Sequence, residues 1–256
     1  MTESSVVWFP VRFGRALYRV LVALVALLRA TRSTRTTELW FGDSHAAYIN
    51  ARYAHAGLSK TPDGQIVWHL GPRLMSSLAR NGFPSRVNRG ARLLGALNKR
   101  GALVPIFIAG EIDVRCHLVQ RSKSVDFDLT FVADYVRNAR RLADLIGATC
   151  VVFVVPVPPS STCPVIPNFP IIGSIDERIA VFRQLRTSLA KEVAELEGPP
   201  RAVVVDATDL LVDKSGGLRG ELTDDGHHTN LDGSRIMRDR LEQIDLDTAR
   251  YDRVRD

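Results

Sequence analysis

Five short apolar runs, Thr37–Phe41, Gln65–Leu70, Leu103–Ala109, Val151–Val155 and Ala202–Val205, are separated by stretches of helical spacing, and this alternation constrains the fold more than any other feature. Runs of that length read as buried strands. Between them lie helices expected from Ser44 through Ala46, Ala47 and Tyr48, over Arg73–Arg80, over Ala91–Lys99 and over Leu129–Leu145. A long helix is expected after Ser174 and Glu177, which stand in capping-box positions, and a last one over Asn230–Ile244. Strands alternating with helices imply a parallel sheet covered on both faces, with ligands bound at the carboxyl ends of its strands. Pro105 in the third run counts against a fully paired central position for that strand.

The length of 256 residues suits one such domain, expected over 37–250, preceded by a basic apolar segment at 1–36. Apolar content of 45% and charged content of 24% are ordinary for a globular chain. The formal charge is +6, and much of the excess comes from Arg12, Arg15, Arg19, Arg29, Arg32 and Arg35, ahead of the first strand. Later arginines are interleaved with acids, which argues against a nucleic-acid enzyme. Cys116, Cys150 and Cys163 lack the spacing of a disulfide framework, which points to the cytoplasm. No CxxC or HExxH pattern occurs, so no metal is expected.

The apolar run Val20–Leu28 follows arginines as in a secretory signal, but no small-x-small cleavage site comes after it. It is also shorter than the roughly 20 apolar residues that a bilayer span requires. Val11–Ala30 is therefore expected to be a helix that docks on its own domain, lies on a membrane surface or a partner, or acts as an uncleaved anchor or signal.

The polar motifs fall just after the strands. Gly42-Asp43-Ser44-His45 follows the first, Gly71 the second, and Gly110-Glu111-Ile112-Asp113-Val114-Arg115 the third. Pro156–Gly173, with six prolines, follows the fourth and cannot be a regular element. Asp225-Gly226-His227-His228 follows the fifth by a loop. A serine needs a base to become a nucleophile, and a histidine needs an acid to fix its tautomer. Ser44, His228 and Asp225 supply those three types, with His227 and Asp224 as alternatives for base and acid.

With these motifs the chain resembles the SGNH/GDSL hydrolase superfamily over roughly Thr37 to Ile244. Gly42-Asp43-Ser44 is similar to the block that carries the nucleophile, Gly71 to the block whose amide helps form the oxyanion hole, and Asp225-x-x-His228 to the acid–base block. A closer bacterial subgroup reads Gly-Asp-Ser-His, His-Leu-Gly-Pro and Gly-Glu-Ile-Asp-x-Arg, here Gly42–His45, His69–Pro72 and Gly110–Arg115. The resemblance implies a three-layer, flavodoxin-like α/β/α fold with a five-stranded parallel sheet. It also implies a cofactor-free serine esterase or acyltransferase acting on an O-acyl ester, with a carbohydrate or glycolipid as the favoured class. Ser44, Asp225 and His228 would be catalytic, and the amides of Ser44 and Gly71 would bind the oxyanion.

The third block departs from the family's Gly-x-Asn-Asp, because Ile112 stands where the asparagine would donate to the oxyanion. Loss of one such donor typically costs about 2.7–4 kcal/mol in the transition state. Either Arg115, His45 or Arg73 replaces it, or catalysis is weak, or the chain is a binding protein on the same scaffold. Glu111 and Asp113 are read as support for the site through Arg115, or as contacts to a sugar hydroxyl, and His45 as a pocket residue. His117, His55 and His69 are read as structural or loop residues. Val157, Val165, Ile166, Phe169 and Ile171 in and beside the proline segment would suit an acyl chain.

Overall fold

In the computed structural model the described residues are 8–33, 35–51, 57–61, 64–125, 127–164, 169–244 and 246. The apolar runs form a sheet in the order β2-β3-β1-β4-β5-β6. Its strands are β1 (Thr37–Gly42), β2 (Gly57–Lys60), β3 (Ile66–His69), β4 (Leu103–Ile108), β5 (Cys150–Val154) and β6 (Arg201–Val205). All adjacent pairs are parallel except β2 with β3. The five expected strands are thus the parallel part, and β2 is a sixth, antiparallel edge strand. Its sequence, Gly57-Leu58-Ser59-Lys60, is too short and too polar to stand out from a loop.

Alternate residues of each strand face opposite sides. Leu39, Phe41, Leu103, Phe107, Val151 and Phe153 enter one core with α1 (Trp8–Ala30), α3 (Met75–Asn81), α4 (Ser85–Leu97), α7 (Phe131–Ile146) and α8 (Ile175–Ala194). Trp40, Val104, Ile106, Ile108, Val152 and Val154 enter the other with α2 (Ser44–Ala51), α9 (Thr208–Leu211) and α10 (Leu231–Glu242). This is the three-layer arrangement, and the parallel strands have the flavodoxin-like order, in which the chain reverses direction across the sheet between β1 and β4. That reversal opens a crevice at the carboxyl ends of β1 and β4.

Pro105 does not keep β4 from the interior. It lies opposite Leu39 of β1, and pairing with β5 begins only at Ile106, beyond the missing N–H. After β4 the chain runs as one helical segment: α5 (Glu111–Asp113), a π-helical turn (Val114–Leu118) and α6 (Val119–Arg121). Helix α4 begins at Ser85 rather than Ala91, with Val87, Ala91 and Leu94 buried on one face. The capping box at Ser174 and Glu177 forms as expected, and Gly147 ends α7 in the left-handed region.

Two tethers hold later segments of the chain to β1. The Arg238 guanidinium on α10 forks onto the Glu38 carboxylate, and Trp40 Nε1 donates to the same group at 2.9 Å. Leu70 N donates to Gly42 O at 2.8 Å, which ties the segment after β3 to the end of β1.

Candidate active site

Ser44 opens α2 directly after β1, so its amide lies in the first turn, where helical N–H groups have no partner within the helix. His228 arrives from the loop before α10, which Asn230 caps by accepting from Asp232 N and Gly233 N. The two side chains meet across 184 residues of sequence, with His228 Nε2 2.8 Å from Ser44 Oγ. Asp225 Oδ2 lies 2.7 Å from His228 Nδ1, and Asp225 Oδ1 accepts from the amides of His228 at 2.8 Å and His227 at 3.0 Å. An ionised carboxylate only accepts, so Nδ1 carries the proton and Nε2 is left to accept from the serine hydroxyl.

The electrostatics agree with that assignment. Burial, then the charge of His45, outweigh Asp225 and bring the His228 imidazole down to about 3, so it is neutral at pH 7. Burial raises the Asp225 carboxyl, but its hydrogen bonds with His228 and the His227 amide prevail and lower it to about 2. Gly226, at φ 79°, lets the loop turn between acid and base, and a Cβ there would lie 2.3 Å from Thr162 O. The loop is therefore docked on the proline segment.

The Tyr48 ring stacks on His228 at 3.8 Å and 5°, a contact the sequence reading missed. The signal was present: Tyr48 is four residues after Ser44 on one helix, so both share a face. His227 packs beside His228 at 3.9 Å between ring centroids, and Asp224 is exposed, so neither displaces the Asp225–His228 pair.

A second network lies deeper. His45 is 2% exposed, with its ring 4.9 Å from that of His228. Its Nε2 is 3.4 Å from Glu111 Oε2, a charge contact without hydrogen-bond geometry. Arg115 donates to Glu111 twice, from Nε at 2.8 Å and Nη2 at 3.2 Å. Burial disfavours charge on Glu111, yet His45 and Arg115 outweigh it and hold the carboxyl at about 2. Burial likewise opposes charge on His45, but Asp43 and Glu111 prevail and its pKa is raised. Asp43 itself is pushed up to about 6 by burial, despite His45 and its amide.

Asp113 does not pair with Arg115. It accepts from Met75 N at 2.6 Å, Ser76 N at 3.2 Å and Ser76 Oγ at 2.6 Å, capping α3. That cap fixes the segment carrying Gly71, whose φ is 80°, and among the described residues no acceptor takes the Gly71 N–H. It also explains why α3 starts at Met75 rather than Arg73.

The expected substitutes for the missing asparagine stand in different surroundings, and Arg115 Nη1 and both His45 ring nitrogens are buried without a hydrogen bond. Arg115 is held by Glu111, His45 faces Glu111, and Arg73 is exposed, while Ile112 is buried. In the proline segment Val157 is buried in the core, Phe169 lies over the Arg115 guanidinium at 5.9 Å, and Val165 and Ile166 fall outside the described residues. So does His55, while His69 is buried at the end of β3 and His117 is exposed.

A cavity of about 50 Å³ borders Tyr48, Asp225 and His228. Larger hollows, of about 530 Å³ along α8 and about 360 Å³ near Arg80, Arg92 and Arg141, touch none of these residues. Asp225, His227 and His228 also place three potential metal-ligand atoms within 4.8 Å of one another. Both His228 ring nitrogens are already engaged, so an ion there would have to displace Ser44 or Asp225.

No protein-family model matches the chain, and no curated protein matches it. Solved structures do. A protein assigned as an acylhydrolase from Bacteroides fragilis aligns at TM-score 0.53 and 13% identity, covering 87% of this chain and 95% of that one. A GDSL-like lipase from Bacteroides thetaiotaomicron aligns at 0.52 and 14%, covering 84% and 89%. A protein assigned as a platelet activating factor from Streptococcus pneumonia aligns at 0.50 and 14%, covering 91% and 97%. The chain shares their fold over nearly its whole length.

Proposed function

We propose that the protein is a serine-dependent ester hydrolase or acyltransferase of the SGNH type. The observation that carries this reading is the unbroken chain Asp225–His228–Ser44, with links of 2.7 and 2.8 Å. His228 Nε2 takes the hydroxyl proton as Ser44 Oγ attacks an ester carbonyl. Asp225 stabilises the imidazolium that forms, and the amides of Ser44 and Gly71 donate to the oxyanion. His228 then protonates the departing alcohol, which leaves an acyl-serine. Water or an acceptor hydroxyl, deprotonated by the same nitrogen, releases the acyl group and restores Ser44. The substrate is proposed to be an O-acyl ester, with carbohydrate and glycolipid esters the first classes to screen. The chemistry needs no metal or organic cofactor.

Labelling of the full chain by a fluorophosphonate probe, mapped by mass spectrometry, tests the reading. Label on Ser44 that disappears in Ser44→Ala and His228→Ala supports it. A folded wild-type protein that takes no label and cleaves no ester favours a second reading, a ligand-binding protein on this scaffold. Ile112 in place of the oxyanion asparagine is the observation on that side.

A further inference from the structure

Helix α1 has two apolar faces and only one of them is covered. Ala23, Leu27 and Ala30 are buried, and the helix lies against the β2 edge of the sheet. Tyr18, Leu21, Leu24, Val25 and Leu28 point the other way, between 43% and 68% exposed. The steps from 18 to 21, 25 and 28 follow one side of a helix, so these side chains form a continuous stripe. Nothing in the fold of the described residues covers it.

The charge beside the stripe is one-sided. Between Ser4 and Thr37 there are six arginines, no lysine and no acidic residue. That stretch alone carries the chain's formal +6, and the remainder is balanced. Arg29 and Arg32, at the end of the helix, are exposed.

We infer that the outer face of α1 docks on an anionic lipid surface, with the helix lying in the plane of the headgroups. Apolar side chains flanked by arginine suit that boundary, since each arginine near such a surface attracts it and the stripe enters the acyl region. Tyr18 adds an apolar ring with a polar tip. A second copy of the chain is the weaker occupant, because self-pairing would bring two such basic stretches together. Nucleic acid would leave the stripe in water. The helix lies on the surface rather than crossing it: its inner row is packed on the sheet, and no helix among the described residues is long and apolar enough to span.

Co-sedimentation of the full chain with vesicles of phosphatidylcholine containing phosphatidylglycerol tests this. Binding should be strong, should fall in 0.5 M salt through screening, and should be weak on phosphatidylcholine alone. Leu21→Ser/Leu28→Ser should weaken partitioning by about tenfold per leucine, half the effect of a fully buried side chain. Arg29→Gln/Arg32→Gln should weaken it by about thirtyfold. All four positions are exposed, and a thermal melt equal to wild type shows that the fold is kept. Failure of the folded wild-type chain to pellet with anionic vesicles overturns the inference. So does undiminished binding by the leucine variant, or a dimer in light scattering that the same variant dissolves.

Discussion

Two polar networks run side by side from the end of the sheet, and they shift their histidines in opposite directions. In Asp225–His228–Ser44 every ring nitrogen has a partner, and His228 is driven toward neutrality. In Asp43–His45–Glu111–Arg115, a layer deeper, both His45 ring nitrogens and Asp43 Oδ2 lack a hydrogen bond, yet His45 is drawn toward its charged form. Burial acts the same way on both rings. The difference is what surrounds them: His45 lies between two carboxylates, Asp43 and Glu111, whereas His228 has one carboxylate and the charge of His45 beside it. Charge on His45 thus favours the unprotonated form of its neighbour, which is the state a general base requires.

The largest effect expected from breaking this comparison is on turnover. His228→Ala and Ser44→Ala should each lower kcat by about four to six decades, and the double variant little further, because the pair acts as a unit. Steady-state kinetics on the best ester found would show this, and losses that multiply would count against the proposed chemistry.

Next comes Glu111→Gln, which leaves the Arg115 charge buried without its carboxylate and removes the carboxylate that faces His45. Loss of one partner of a buried pair costs about 3–5 kcal/mol, to be read from urea unfolding. The Glu111 pKa is lowered by folding, so its contribution is fully present above the unfolded value of 4.5 and is lost as pH falls toward about 2. The gap between variant and wild type should close over that window. A gap that widened instead would show that the carboxylate is not held ionised by its neighbours.

Asp113→Ala removes the cap that orients α3 and the Gly71 segment. It should cost about 1–2 kcal/mol, the usual range for a lost cap, and lower kcat more than it raises KM. Equal changes in both would remove Gly71 from the oxyanion role. The smallest expected effect is His45→Gln. Removing that positive charge raises the His228 pKa, so the acid limb of kcat/KM should move to higher pH. An unmoved limb would mean that His45 is uncharged in the free protein.

The sheet was legible in the sequence because its parallel strands are mostly apolar runs separated by helical spacing, and β2 was not because Ser59 and Lys60 interrupt its pattern. Ser44, Asp225 and His228 were legible as types at fixed offsets, and they come within hydrogen-bond distance. The partners of Glu111 and Asp113 divided in a way that spacing could not reveal. Glu111 and Arg115 are four apart on a helix, a local relation. Asp113 bonds 38 residues back to Met75, and His45 reaches Glu111 across the crevice, and these contacts exist only once β1, β3 and β4 are adjacent.

Gly42 ends β1 with its α-carbon so near β4 that a Cβ would lie 2.3 Å from Ile108 O and 3.0 Å from Ala46. The next residues on either side of that contact lead to Ser44 and to Glu111. The backbone separation of the two networks is therefore set by the absence of one methyl group. At this position the sheet and the site have a single shared tolerance, and neither can drift without the other.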